Sequence, residues 1–457
     1  MKKFLKIFLA ALALAAAVSL FVISIGASEA KPEMASYTNS QGETVESDFL
    51  SAIKEAKPGT TVTLLGNCNQ ITSAAIDKDL TVDLGGYSLS TTKSITLFNV
   101  KESVNFTITG TGSINATGMV YETVSGKTPT VSIVGSSGKG IKITQNNTSS
   151  TPYIVHNYNG TYLFKNLDVV TNFSAATTRY QSFFHNDTDT TSATVTFDTV
   201  EFNAPNAKPN NPGTFILGVC GSNSKLVIKN SGLYSNASGI YLGHLAAPDN
   251  VTANGVGVET VIVDITDSVV SNGGTAHNAK SYGLFLEREG FGSSGGAIGV
   301  INVKNSVLES AGRAIYDSVN SITDTTKQKV IVNFVNSTLR GKAYTGTNAD
   351  FVLSRHTIVN LDATSKVSTF KYDVNFAADY GAVKGSVGTR TNVLETTKGS
   401  KSILFPDGTN GTESNTYTWV FDPAGNPEYP YVIVEKTNAP TVSPSHTSIL
   451  CIALSIP

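Results

Sequence analysis

A short unit recurs along this chain and constrains its fold more than any other feature. Residues 194–202, 225–235, 261–271, 300–310 and 330–339 each read as an apolar strand, a polar corner and a second apolar strand, with an earlier member at 163–170. The corners fall at Asn166, Asp198, Asn230, Asp267, Asn305 and Asn336, in steps of 32, 32, 37, 38 and 31 residues. Asn and Asp tolerate left-handed backbone angles and bond to their own backbone, which suits a sharp turn between strands. Apolar and polar residues alternate within each strand, so one face is buried. No single unit can bury that face, but coils stacked into a solenoid can. A further short strand follows at 183–185, 215–217, 239–242, 283–286, 314–317 and 351–353. Three strands per coil, joined by loops of unequal length, predict a parallel β-helix. A β-sandwich, with strands every roughly 8–12 residues, does not predict corners 31 to 38 residues apart.

Composition agrees with this. Charged side chains make up 15% of the 457 residues, against roughly 25% in an average soluble domain, which argues against long helices and coiled coils. The net charge of −2 and the lack of a basic stripe exclude the electrostatic footprint of a nucleic-acid binder. Lys2, Lys3 and Lys6 precede an apolar run at 7–25, and Ser28-Glu29-Ala30 supplies small residues for cleavage. Residues 1–30 are therefore expected to be a secretory signal, which places the mature chain outside the cytoplasm or at the cell surface. An uncleaved anchor is the alternative, since about 19 apolar residues approach the spanning length. Residues 437–457 read as a Pro/Ser/Thr stalk and an apolar tail too short to cross a bilayer, as if an anchor had been lost. Cys68, Cys220 and Cys451 are an odd number for an exported chain. The first two are expected to be buried thiols, several coils apart and beyond disulfide reach. The six histidines are scattered and no CxxC motif occurs, so no cofactor and no metal site are expected.

The N-terminal region carries a resemblance. Residues 49–56 form an amphipathic helix, 57–60 a turn and 61–65 a strand, followed at 81–89 by TVDLGGYSL. This opening, with the repeat behind it, resembles right-handed parallel β-helix proteins of the pectin-lyase-like superfold, in particular bacterial secreted and surface members. The resemblance covers residues 44–370 and implies an all-β solenoid with a short capping helix. A hairpin-like pattern at 416–434, which contains the single Trp, makes 371–436 a C-terminal β-module. The superfold hosts lyases, hydrolases, adhesins and structural modules, so it implies no single activity.

The chemical motifs of its enzymes do not occur here. Galacturonan hydrolases of this fold carry Asn-Thr-Asp, Asp-Asp, Gly-His-Gly and Arg-Ile-Lys runs, and pectate lyases an Arg-x-Pro-x-x-Arg element; this chain has none of them. The acid/base candidates left are Glu287, Asp317 and Arg355, with Arg288, Glu289 and His356 beside them, all read as lying just past equivalent strands. Charges at a sheet edge are ordinarily solvated surface, which is the competing explanation. A second candidate is an aromatic column, aligned as Phe184, Ile216, Tyr241, Phe285, Tyr316 and Val352. Since Ile240 and Leu242 flank Tyr241, alternation turns Tyr241, Phe285 and Tyr316 outward, where rings could contact sugars. If that position points inward, the column is core. The expected function is a non-catalytic, glycan-contacting or adhesin-like surface module. A polysaccharide lyase or glycoside hydrolase and an inert spacer are the alternatives. Expected partners are an extracellular polysaccharide or a cell-surface glycan, with no nucleic acid, and with a membrane only through the signal or a lost anchor.

Overall fold

A computed structural model describes residues 33–138, 140–146, 153–172, 182–186, 192–205, 215–220, 224–236, 238–243, 259–272, 282–286, 297–310, 313–317, 329–341, 351–352, 357–361, 366–369, 373–375, 403–404, 416–421 and 431–436. Some side chains inside these strands, those of Phe285, Tyr316 and Asp317 among them, are not described.

The chain is an all-β parallel β-helix solenoid with three strands per coil. One parallel sheet runs from Thr60–Leu64 through Leu80–Asp83 and Asn105–Gly110 to Thr357–Leu361. A second runs from Cys68–Gln70 through Ser88–Thr91 to Lys366–Thr369. The third is an 11-stranded parallel sheet from Ala74–Ile76 to Ile403–Leu404. It thus extends past residue 370, where the sequence pattern weakens. Gly160–Thr171 and Ala193–Ala204, each 12 residues long, bend through the corner and belong to the first two sheets at once.

Register stacks like upon like. Val82, Ile108, Ile133, Phe164, Phe197, Ile228, Ile265, Val303 and Phe334 form one inward column, and all are buried. Phe164 and Phe197 stack with centroids 4.9 Å apart. Phe183, from the third sheet, meets each of them edge-on at 5.1 Å and so ties the sheets together. Cys68 is a buried free thiol, and burial, then the charge of Glu33, pushes its pKa up to about 11.

The corner is a continuous ladder. Asn166, Thr199, Asn230, Asp267, Asn305 and Asn336 have φ of 52°, 59°, 50°, 47°, 48° and 45°, the left-handed region that Asn and Asp enter most cheaply. One expectation is corrected here. Thr199, not Asp198, makes the turn in its coil, because Asp198 pairs in register with Lys165 and Lys229, the residues just before the neighbouring corners. Its carboxylate sits between their ammonium groups, 3.3 Å from each, and accepts from Asn230 Nδ2 at 3.4 Å. Burial opposes ionisation of Asp198, but the bonds from Lys165, Asn230 and Lys229 outweigh it and hold the carboxyl below its usual pKa. Farther along, Asn305 Nδ2 donates to Asp267 Oδ1 and Asn336 Nδ2 to Asn305 Oδ1, both at 3.0 Å.

Beside the asparagines runs a buried serine ladder. The N–H groups of Ser231, Ser268 and Ser306 donate to the hydroxyls of Ser268, Ser306 and Ser337 at 3.1, 3.0 and 3.1 Å. Each hydroxyl in turn donates to the carbonyl two residues back, at 2.6–2.7 Å. A turn that would strand buried backbone groups is thereby paired from coil to coil.

The N-terminal end is covered by more than the expected helix. Met34–Thr38 pairs antiparallel with both Thr44–Asp48 and Thr60–Leu64, so the cap begins before residue 44. Helix α1, Phe49–Glu55, follows, with Asp48 Oδ1 accepting from Ser51 N at 3.0 Å as its N-cap. Its buried face of Phe49, Ala52 and Ile53 lies over the open coil, with Phe49 edge-on to Phe98 at 6.2 Å. At the other end, Thr416–Phe421 and Tyr431–Lys436 form an antiparallel hairpin whose second strand pairs antiparallel with Thr357–Leu361.

The serine ladder yields a stability prediction. Ser268→Ala leaves the buried Ser231 N–H without its partner, while the Thr266 carbonyl keeps the Asn230 N–H, and should cost about 1–3 kcal/mol. The measurement is a shift of the urea midpoint; an unmoved midpoint would show that the ladder bonds contribute nothing net.

Candidate functional site

The second sheet carries two outward columns, in which Gly232 and Ser271 are covered by their neighbours. Asp168, Glu201, Gly232, Val269 and Val307 make one, and Asn203, Tyr234, Ser271 and Glu309 the other. The repeat is interrupted at Gly232. A Cβ there would lie 2.5 Å from Glu201 Oε2 and 2.7 Å from the Tyr234 ring, so carboxyl and ring together fill the space that a side chain would occupy. Tyr234 keeps 37% of its surface exposed, which among the described residues few large hydrophobic side chains do.

A groove of about 460 Å³ follows the corner beside this pair, lined by Glu201, Tyr234, Asp267, Asn305, Val269 and Val307 among others. Glu309 follows in the row, accepting from Ser271 Oγ at 2.5 Å, and Arg340 stands next in register. The electrostatics follow from crowded acids. Burial of its carboxyl end, and then the charge of Asp168, raise the pKa of Glu201 although the residue as a whole is exposed. Burial, then the charges of Glu201 and Glu309, raise the phenol of Tyr234. The arrangement offers one open aromatic face, carboxylate acceptors and amide groups within a single groove.

Of the residues singled out from sequence, only some are described. Glu287, Arg288, Glu289, Arg355 and His356 fall outside the described residues. Asp317 pairs in register with Leu286, which pairs with the buried Leu242. Tyr241, Phe285 and Tyr316 do share one column of the third sheet. Phe184 and Ile216 are not in it. Phe184 pairs with Leu217, which pairs with Ile240, in the inward column, and His185 and Gly218 stand in register with Tyr241 instead. Short strands between unequal loops leave the frame ambiguous by one residue, and one residue exchanges the faces. Tyr241 is only 7% exposed, so its ring is not the open platform that alternation alone implied.

That third-sheet column holds a second cluster that sequence reasoning missed. Glu122, His156 and His185 are consecutive in register. His156 Nδ1 is 3.1 Å from Glu122 Oε1, and the Tyr153 ring lies 4.7 Å from His185 and 2° from parallel. Among the described residues no three His, Cys, Asp or Glu side chains are grouped so as to hold a metal ion, and no helix is long and apolar enough to cross a membrane.

No protein-family model, curated protein or solved structure matches the chain.

The crowding of Glu201 is testable. Asp168→Asn should lower the Glu201 pKa only part of the way toward its ordinary value, because burial is the larger cause and remains. A carboxyl-carbon NMR titration reads it directly; no change would mean that the two carboxyls do not sense one another.

Proposed function

We propose that this protein is a secreted or cell-surface β-helix of the pectin-lyase-like superfold that contacts glycans rather than cleaving them. The observation that carries this is the exposed Tyr234 ring packed over Gly232 beside the Glu201 carboxyl, at the edge of an open groove. A sugar ring needs an apolar face to stack on and acceptors around it for its hydroxyls, and this surface offers both. A rigid solenoid repeats its surface at coil spacing, which suits a polymer with its own repeat. The export reading rests on the Lys-rich start, the apolar run and the small residues at 28–30.

A second reading is favoured by one feature. Asp168 and Glu201 stand on adjoining strands, and Glu201 is held toward its protonated form. A paired carboxylate and carboxylic acid is what glycoside hydrolysis requires. Incubation with neutral and acidic polysaccharides discriminates between the readings. Reducing-end or unsaturated products that vanish in Glu201→Gln would establish the enzyme and displace the binding reading.

Under the binding reading, Tyr234→Ala should weaken retention on a polysaccharide matrix by about threefold to tenfold. Its melting temperature should stay near that of the unaltered protein, because the ring contributes little to the core. A large fall in melting temperature, or retention unaffected by the change, would sink the assignment of this ring.

A further inference from the structure

The groove is charged with one sign. Glu201 and Asp267 belong to its lining, which includes no Lys or Arg. Asp168 pairs in register with Glu201 on the adjoining strand, and Glu309 flanks Tyr234 through Ser271. The nearby bases stand against acids, and Arg340 pairs in register with Glu309 on the coil beyond it, on the side away from Tyr234. Lys165 and Lys229 are both drawn to Asp198 at 3.3 Å, and Lys225 lies 3.6 Å from Asp264. Lys142 stands in the same column as Asp168 but three coils before Gly232, roughly 14 Å away at the usual strand spacing. Lys304 precedes the Asn305 corner and belongs to the first sheet.

Such a surface discriminates among sugars. A uronate polymer would bring carboxylates against carboxylates, and a neutral sugar would leave the acids with water alone. A 2-amino sugar would lay its ring on Tyr234 and direct its ammonium to the carboxyls at the groove's edge, where an aromatic face also attracts a cation. We infer that the groove selects glycans bearing free amino groups, such as unacetylated or partly deacetylated amino-sugar polymers, over their acetylated and uronate counterparts. This rests on the glycan-contacting reading above and adds the class of ligand to it.

The test compares short oligosaccharides of glucosamine, N-acetylglucosamine and galacturonate for binding to the full chain, by calorimetry in mildly acidic, low-salt buffer. Glucosamine oligomers should bind about fivefold or more tighter than the acetylated ones, with galacturonate weakest, and salt should erode the preference. The double variant Glu201→Gln, Asp267→Asn should lose most of the preference. It should keep its fold, since Asn occupies the same corner in neighbouring coils. Equal or tighter binding of the acetylated or uronate oligomer, or a preference that survives the double variant, would overturn the amino-sugar inference. If either result comes with binding that Tyr234→Ala weakens, the glycan-contacting reading stands without it. Absence of binding to all three oligomers overturns both.

Discussion

The structure depends on hydrogen bonding between parallel coils. Each strand of the coils lies beside its counterpart one turn away, so side chains within the stack have the same position of the repeat above and below them. This makes columns, not individual contacts, the unit of stability. An apolar residue such as Ile228 is buried because Phe197 and Ile265 flank it in register. A charge placed in the same column would have no water and no partner. The solenoid therefore fills its inward positions mostly with apolar residues and leaves the outward ones to vary. Function can accumulate there without disturbing the core.

The corner shows how the same constraint handles polar groups. A left-handed turn is costly for most residues and interrupts the strand bonds on either side. Here the cost recurs in each coil, and the compensation recurs with it. Asn side chains bond along the stack, and the serines after Asn230, Asp267, Asn305 and Asn336 each accept an N–H from the preceding coil. Thr199 is the informative exception. A β-branched residue holds the turn, with its hydroxyl on the Asp198 carboxylate at 3.2 Å, and that carboxylate is braced by two lysines. Neighbouring bonds can thus carry a residue that local preference would reject.

The candidate site is a fault in the outward pattern. Between Glu201 and Val269 the column holds only Gly232, and the carboxyl and ring on either side move into the vacancy. Crowding the acids there raises the pKa of Glu201 and of Tyr234, while the ring keeps one face open. Recognition chemistry arises where the repeat is broken, because a regular column of like residues offers no unique geometry.

Sequence by itself determined the fold class, the three strands per coil and five of the six corner residues named from it. Those features depend on period and on intrinsic backbone preference, which are local. It also contained the serine of each Asn-Ser or Asp-Ser pair, although only the stacked coils reveal what that hydroxyl bonds. Tertiary structure decided the rest. Whether Phe184 or His185 shares the column of Tyr241 turns on a one-residue frame set by inter-coil pairing, and loops of unequal length hide that frame from any linear alignment. Asp168, Glu201 and Tyr234 are separated by 33 residues each in the chain, and no motif links them. They come together because one coil takes about that many residues to return to the same face, and because Gly232 leaves the room between them.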